Sequence, residues 1–450
     1  MVLEVGSSIS VNVKMTVGSA SQQVEVRANG LALQTEDSTF KQTIDSTAMT
    51  EMPLNGRHMT DLITLSGAST SAPGGDFTGS KYSYQTVSIS VAGGMGNTTM
   101  WRLDGGDNND YMANGNLPFP FPDAVGQFSV EAAGLSAQNG MHTGGMVNVV
   151  TKSGTNQYHG SAFEFIRNNF INATNFFSTS KDTLHQNQFG GTFGGPIVKD
   201  KLFAFAGYQR QRTTQTTAAT QAHVPTAANL LGDFSVTDPP PGTPITGTSC
   251  VTKASQEVQL YDPLTGAALP GNKYPTTPTW NAQALKLQGY LPKIDPAVDV
   301  NNCGLVSYAM PSLVTDNQFV TRVDYTINPN NNFYARYFID GEQSPADFLP
   351  TNILVTTASG NLERVQSFTM GEVWTISPRT INSAHLTLMR RRNNRGYASN
   401  DINAATLGVN LYQAVPNGLQ MTISNKFNIG GGTNSVSHFN DNTLAFDDDI

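Results

Sequence analysis

The sequence predicts a mainly β protein, with a small α/β domain followed by about eight antiparallel strands of a transmembrane β-barrel. Three observations lead to this prediction. The 450 residues are only 13% charged and include 42 glycines, a composition more typical of all-β or outer-membrane chains than of helical enzymes. Many short segments alternate between apolar and polar residues, which is the period of a strand with two different faces. The connections between these segments are alternately short and long.

The segment 317–342 shows the apolar alternation on both sides of the turn NPNNN. One face of the predicted hairpin is apolar and carries Phe319, Val323, Tyr325, Ile327, Phe333, Ala335, Tyr337 and Ile339. The opposite face carries Arg322, Asp324, Arg336 and Asp340. A hairpin with one apolar and one charged face is compatible with both a soluble sandwich and a membrane barrel. The sequence pattern of a membrane-barrel strand is too weak in any single strand to distinguish them.

The lengths of the connections favour the barrel. Eight strands are predicted near 158–167, 187–195, 201–212, 317–327, 332–342, 362–376, 380–392 and 439–449. Short turns alternate strictly with the long connections 168–186, 213–316, 343–361 and 393–438. Bacterial outer-membrane barrels have short periplasmic turns and longer extracellular loops, whereas a sandwich has no reason to place every long loop at one end.

The region before these strands mixes helical and strand signals. Asp45 or Ser46 is a predicted N-cap of a short helix that ends at Pro53, and a second short helix contains Thr60 or Asp61 and ends near Gly67. Strands follow at 86–93, 98–106, 128–133 and 144–154. We therefore expect a small α/β domain that runs directly into the first barrel strand.

The distribution of charge and of apolar residues excludes some classes of function. No basic patch suggests a nucleic-acid partner, and no apolar run approaches the roughly 20 residues of a transmembrane helix. The start MVLEVGSSISVNVKM lacks the pattern of a signal peptide, so for an exported protein we expect the true N-terminus to lie upstream.

The two cysteines, Cys250 and Cys303, share one polar segment. A disulfide that closes this loop is favoured over two separate thiols.

Several motifs resemble TonB-dependent outer-membrane receptors, in particular the Oar-like group. They are MPLNGRHMTDLITLSGA, WRLDGGDNND, PFPFPDAVGQFSVE, GGMVNVVTKSGTNQYHGSAFEFIRN and NQFGGTFGGPIVKDKLFAFAGYQRQR. The resemblance is dense from about residue 20 to 212 and looser afterwards. Ala133-Gly134-Leu135 departs from the Arg-Gly-Pro of many family plugs, which weakens any transfer of function from siderophore receptors.

The resemblance implies a plug domain inside a barrel of about 22 strands, so we expect this chain to be a fragment. It implies that 1–22 ends a carboxypeptidase-regulatory-like β-sandwich, 23–35 is a linker, 36–154 is the plug and 155–450 is the first part of the barrel. It also implies a segment that contacts TonB, for which Val24, Glu25, Val26, Arg27 and Ala28 are the candidates. An extended segment can add a strand to a partner's sheet. The alternative is the last strand of the preceding sandwich.

Within the predicted plug, the motif residues are Pro53, Leu54, Asn55, Gly56, Arg57, Asp104, Gly105, Gly144 and Gly145. Asp104, Asp107 and Asp110 form a possible Ca²⁺ cluster, but the segment lacks the glycine and terminal glutamate of an EF-hand, so a tight turn is favoured. Gly144 and Gly145 are expected where backbones approach closely. The polar set Arg322, Asp324, Arg336 and Asp340 is expected either to hold the plug or to line the substrate path, and plug holding is favoured.

The favoured function is TonB-dependent active transport of an extracellular ligand across the outer membrane, with the TonB complex and outer-membrane lipid as partners. The alternatives are a non-transporting surface adhesin or structural barrel, and an extracellular soluble β protein. No catalytic motif, cofactor motif or metal-ligand spacing is present in the sequence, so we expect neither enzyme activity nor a cofactor.

Overall fold

The computed structural model describes residues 40–450 with gaps. The gaps are 53, 72–88, 113, 134–143, 175–180, 217–219, 236–258, 300–302, 347, 357–359, 400, 414, 416–417, 425 and 431–435. The described residues form two units, a five-stranded sheet with short helices and an eight-stranded sheet. We call them the N-terminal unit (described residues from 40 to 151) and the barrel sheet. Within the described residues, no helix is long and apolar enough to cross a membrane.

The N-terminal unit is built around a mixed sheet in the order β1-β8-β9-β4-β5. Its strands are β1 (Phe40–Asp45), β4 (Met100–Leu103), β5 (Gly106–Asp107), β8 (Val125–Ala133) and β9 (Met146–Thr151). Short pairs flank the sheet: β2 (Ser69–Ser71) with β3 (Ile89–Val91), and β6 (Asn109–Asp110) with β7 (Gly115–Asn116). The β4–β9 pair is parallel, which a crossover connection allows.

Short helices cover the N-terminal unit. Asp45 caps α1 (Ser46–Glu51) by accepting a hydrogen bond of 2.8 Å from the Ala48 amide, as the sequence predicted. The second predicted helix is a 3₁₀ segment, Met59–Leu65, and two more 3₁₀ turns span Asn55–Arg57 and Pro122–Ala124. Their apolar residues join the sheet in one core that includes Leu62, Trp101 and Phe128.

The barrel sheet contains eight long antiparallel strands whose spatial order follows the chain. They are β10 (His159–Asn168), β11 (His185–Val198), β12 (Leu202–Thr216), β15 (Pro311–Asn328), β16 (Asn331–Ser344), β17 (Gly360–Ser377), β18 (Thr380–Gly396) and β21 (Ser437–Asp449). All eight predicted strands are present, and their ends differ from the predicted ones by up to six residues. The predicted fold class, with its partial barrel, is confirmed.

Alternating burial identifies the two faces of the barrel sheet. Phe319, Val323 and Ile327 are exposed on one face, whereas Val320 and Phe338 on the other are fully buried. Phe205, Val320 and Phe338 belong to the same hydrophobic core as the N-terminal unit. The N-terminal unit therefore packs on the face of the sheet that would line the lumen of a closed barrel.

The long connections of the barrel sheet are more ordered than the sequence predicted. They contain β13 (Thr220–His223), β14 (Leu305–Tyr308), β19 (Met421–Ile423), β20 (Phe427–Ile429), α2 (Ala227–Leu230), α3 (Ala282–Gln288), α4 (Ala404–Leu407) and the 3₁₀ turns Pro270–Asn272 and Ile353–Val355. Apart from the short helix at α3, these elements were missed. Residues from three different connections, including Val224, Leu354 and Ile402, form a shared hydrophobic core.

The 450-residue chain should require detergent or lipid when it is produced alone. Large apolar side chains on the outer face, such as Ile197 at 61% and Phe446 at 69% exposure, form a surface that water does not solvate well. In the described residues, β10 and β21 each have one neighbour in the barrel sheet, leaving ladder edges that promote association. Size-exclusion chromatography should show aggregates in aqueous buffer. A soluble monomer with a cooperative melt would refute the barrel interpretation.

Candidate functional site

The contact between the N-terminal unit and the barrel sheet centres on Asp104, in the tight turn between β4 and β5. Asp104 and Gly105 both have positive φ, +51° and +75°, a conformation that Gly adopts freely and Asp tolerates. The turn directs a fully buried carboxylate toward the barrel sheet. Within its own unit, this carboxylate accepts hydrogen bonds from the Thr151 amide at 2.8 Å and the Thr151 hydroxyl at 3.0 Å.

Two arginines of the barrel sheet bind the same carboxylate. Arg322 Nη1 lies 2.8 Å from Asp104 Oδ1, and Arg336 Nε lies 3.1 Å from Asp104 Oδ2. The Arg336 side chain is entirely buried, and its remaining N–H groups donate to Ser367, Thr369 and the Leu103 carbonyl. A buried ion pair is tolerable only when its other hydrogen-bonding groups are also satisfied, and here they are.

The neighbours of Arg322 complete this polar cluster. Asp324, two residues along β15, accepts from Arg322 Nη2 at 2.8 Å. The Tyr334 ring lies under the Arg322 guanidinium, 4.6 Å from its Cζ to the ring centroid, and the Tyr334 hydroxyl donates to the Asp104 carbonyl. Of the predicted lumen-facing set, Arg322 and Arg336 therefore meet at Asp104, and Asp324 pairs with Arg322.

A second contact uses Arg57, the last residue of the 3₁₀ turn Asn55–Arg57, which follows Leu54. Gly56 adopts φ +80° in this turn. Arg57 forms an ion pair with Asp123 of its own unit at 2.5 Å. Its guanidinium lies over two rings of β10, 4.8 Å from the centroid of Phe163 and 4.2 Å from that of Phe165. Cation–π contacts of this kind strengthen when they are desolvated. Pro53 lies outside the described residues.

A third contact joins Arg391 of β18 to Asp110 of the N-terminal unit. The two side chains are almost fully buried, with 3.5 Å between Arg391 Nη1 and Asp110 Oδ2. Arg391 also pairs with Glu363 at 2.7 Å and with Asp441 at 3.6 Å. Arg391 was not among the predicted site residues, although its position on the inward face of a predicted strand was a usable signal.

The remaining predicted residues lie in other settings. Asp340 accepts a hydrogen bond of 2.8 Å from Gln318. It also lines a cavity between the two units, nearer the long connections than Asp104. A Cβ added to Gly144 would lie 2.9 Å from the Thr98 carbonyl oxygen, and one added to Gly145 would lie 2.7 Å from that of Glu131. Both distances are shorter than a normal contact, as expected for positions of close backbone approach.

The other candidate residues are wholly or partly outside the described structure. Val24, Glu25, Val26, Arg27 and Ala28 lie outside it, as does Cys250. Cys303 is disulfide-bonded, and its pairing with Cys250 stays a prediction. The Asp104 to Asp110 segment forms the tight turn that was favoured over a Ca²⁺ loop. Among the described residues, no group of three or more His, Cys, Asp or Glu side chains is arranged to hold a metal ion.

Comparison with known families agrees with this geometry. The model of the outer membrane beta barrel domain matches residues 150–450, which is most of the chain. The chain belongs to the outer membrane beta barrel family. Membership places it in the outer membrane of Gram-negative bacteria.

One curated relative carries the resemblance further. The TonB-dependent transporter Oar of Myxococcus xanthus is 31% identical over 167 residues, which cover 34% of this chain and 16% of that protein. This match confirms the resemblance to TonB-dependent receptors of the Oar-like group. The matching proteins are transporters and receptors, which are not enzymes, in agreement with the sequence.

Two solved structures are similar to this chain at low sequence identity. The outer membrane transporter YddB of Escherichia coli has a TM-score of 0.50 and 9% identity, with 88% of this chain and 43% of that chain covered. A variant of the ferric enterobactin receptor PfeA of Pseudomonas aeruginosa has a TM-score of 0.45 and 12% identity, covering 90% and 45%. This chain thus spans less than half the length of these relatives.

Proposed function

We propose that this protein is a TonB-dependent transport receptor of the outer membrane, in which the N-terminal unit is a plug that closes the barrel lumen. The proposal assigns 36–154 to the plug and 155–450 to the barrel wall. The observation that carries it is the seating of the N-terminal unit on the inner face of the barrel sheet through Asp104, Arg57 and Asp110.

The contacts between the two units are of a kind that suits a movable plug. A plug that never moved would be stabilised best by apolar packing against the barrel wall, since a buried ion pair contributes little net stability. Here the two units also meet through charged side chains, including Arg322 and Arg336 at Asp104. Ion pairs and hydrogen bonds of this kind can exchange with water when the plug is pulled. An adhesin or a structural barrel, the second candidate, has no use for a gate.

The long connections are the proposed ligand-binding surface. They lie at the ends of the strands opposite the tight turns, which corresponds to the extracellular side of bacterial barrels. Their shared core, with Val224, Leu354 and Ile402, would hold several loops in one arrangement. Loops held by a rigid support are common sites of recognition.

Energy input is assigned to the segment 23–28, where Val24, Val26 and Ala28 alternate with Glu25 and Arg27. We expect this segment to pair with TonB through its backbone as an added strand. Proline removes an N–H donor and fixes φ, so Val26→Pro in the full-length receptor should weaken capture by the periplasmic domain of TonB at least about ten-fold, the equivalent of ~1.4 kcal/mol. A pull-down with that domain measures the effect.

Val26→Thr is the matched control, because threonine keeps the backbone donor and the β-branched shape. It should leave most of the capture intact. Equal capture of wild-type and Val26→Pro receptors would place the TonB-contacting segment elsewhere. No capture of the wild-type receptor would favour the non-transporting surface protein.

A further inference from the structure

The outer face of the barrel sheet changes from apolar to cationic toward the long connections. The strand register places in one outward row Tyr337, Phe368, Leu388 and Leu444. The next outward row contains Ile339, Gln366, Arg390 and Asn442, and the one after it Gly341, Arg364, Arg392 and Asn440. Arg364, Arg390 and Arg392 thus form a cluster on β17 and β18, directly beside the apolar rows. We call it the arginine triplet.

The arginine triplet concentrates like charge on an exposed surface. Arg364 and Arg392 lie directly opposite each other on neighbouring strands, and all three arginines are exposed. Like charges that face each other across a strand pair are destabilising. From β15 to β21, the two rows of the triplet and the next outward row contain no Asp or Glu. The surface therefore calls for an anion from outside the chain.

Groups of this chain do not supply that anion in the part that the structure describes. None of the ion pairs found there involves the triplet. The side-chain amide oxygen of Asn394 lies 3.1 Å from Arg392 Nε when the amide is turned toward it, but this neutral group adds no negative charge. The neighbouring Arg391 points to the opposite face, where it pairs with Glu363 and Asp110.

The arginine triplet lies at the height of lipid head groups. Trp374 is 45% exposed near the tight-turn end of β17, ten residues from Arg364 on the same outward face. A strand that rises about 3.3 Å per residue and tilts by about 40° separates these two side chains by roughly 25 Å along the membrane normal. This is the height of the apolar band of an outer-membrane barrel, which aromatic residues flank. With Trp374 at the periplasmic interface, the triplet reaches the head groups of the extracellular leaflet.

A groove on the outer face runs from the triplet into the apolar rows. It has a volume of about 400 Å³, and its lining includes Phe368, Leu388 and Leu444, with Arg390 and Asn442 toward the long connections. Leu388 is 46% and Leu444 69% exposed. An acyl chain lying in this groove would cover these apolar side chains and would bring its own head group to the guanidinium of Arg390.

We propose that the arginine triplet binds the phosphate of a lipid head group in the extracellular leaflet, with an acyl chain of the same lipid in the groove. Guanidinium groups match phosphate oxygens with paired hydrogen bonds, and a phosphate between Arg364 and Arg392 removes their mutual repulsion. The site lies on the face of the sheet opposite the plug contacts. It is therefore a function of the barrel wall in addition to transport, and it does not depend on TonB.

The test is native mass spectrometry of the purified full-length receptor in a neutral detergent, which counts bound lipid molecules. The probe is dioleoyl phosphatidic acid, and dioleoylglycerol has the same chains without the phosphate. We expect one phosphatidic acid to be retained at concentrations that leave dioleoylglycerol unbound. Arg364→Gln combined with Arg392→Gln should weaken this binding about a hundred-fold, as for two lost charged hydrogen bonds.

Arg379→Gln is the matched control, because Arg379 is exposed in the tight turn at the other end of the same hairpin and should leave binding unchanged. Inorganic phosphate at the concentration of the lipid should not displace it, since phosphate alone gains nothing from the groove. Equal retention of the two lipids, equal retention by wild-type and the double variant, or displacement by inorganic phosphate would overturn the proposal.

Thermal unfolding in the same detergent separates lipid binding from a structural role. Without phosphatidic acid, the Arg364→Gln and Arg392→Gln double variant should melt no lower than wild-type, because it loses a repulsive pair. With phosphatidic acid, only the wild-type melting temperature should rise. A double variant that melts lower than wild-type without lipid would assign the arginines to folding instead.

Discussion

Asp104→Asn in the full-length receptor is expected to loosen the plug from the barrel wall by about 3–5 kcal/mol, the range seen when one partner of a buried ion pair is removed. Arg322 and Arg336 would remain buried beside a neutral amide whose NH₂ group is itself a donor. Asparagine tolerates the left-handed backbone at this position, φ +51°, so the change isolates the charge. Urea-dependent trypsin cleavage of the plug should begin at lower denaturant than in wild-type.

Asp200→Asn is the matched control for this substitution. Asp200 also has positive φ, +60°, and lies in the exposed tight turn between β11 and β12, where its carboxylate accepts from Asn156. A surface change of this kind should alter stability by less than about 0.5 kcal/mol. If Asp104→Asn were as resistant to trypsin as Asp200→Asn, the ion pairs would not hold the plug.

Replacing Asp104 and Arg336 together should recover part of the stability that Asp104→Asn alone removes from the contact between plug and barrel wall. Asp104→Asn combined with Arg336→Met removes both the carboxylate and the buried guanidinium, and well-packed apolar replacements of buried ion pairs are often neutral or stabilising. Recovery in the double variant would show that the cost arises from an unpaired buried arginine rather than from a damaged turn.

The strands could be predicted because each long strand has one face toward the outside of the barrel and the other toward its lumen. Outward residues such as Phe319 and inward residues such as Arg322 alternate along the same backbone, and period two records this directly. The alternation of tight turns and long connections then predicted that neighbouring strands in the chain pair as antiparallel neighbours in the sheet. The inward direction of Arg322 and Arg336 was therefore predictable from their own strands.

The partners of those arginines were not predictable from the strands. Arg322 and Arg336 bind an aspartate 218 and 232 residues away in the chain, and no local pattern links such positions. The family motif WRLDGG marked Asp104 as noteworthy without revealing what it binds. Arg391 was missed for the same reason, since its partner Asp110 is 281 residues away.

The ordered long connections show a different limit of the sequence. Each contributes only a few apolar residues to the shared core, such as Val224, Leu354 and Ile402, separated by polar stretches. Hydrophobic periodicity along the sequence cannot reveal a core that is assembled from scattered residues of three connections. The cavity lined by Thr60 and Asp340 was similarly hidden, because these two residues lie on different units and only the fold brings them together.

The most direct test of the gate asks whether the plug must move for the lumen to open. A Cβ built on Gly106 of the plug would overlap the Thr387 hydroxyl of the barrel wall. The two positions are therefore adjacent, and a small shift of the plug would let cysteines placed there form a disulfide. Gly106→Cys with Thr387→Cys in the full-length receptor should therefore lock the plug when oxidised and free it when reduced.

Single-channel conductance in a planar bilayer, with mild urea to loosen the plug, reports the gate without any knowledge of the ligand. The reduced double-cysteine receptor should open to a conductance at least about as large as that of a porin, since a barrel of about 22 strands is wider than one of 16–18. The oxidised receptor should stay closed under the same conditions, and wild-type treated with the same reductant controls for the native disulfide. Equal conductance of the oxidised and reduced receptors would contradict the account.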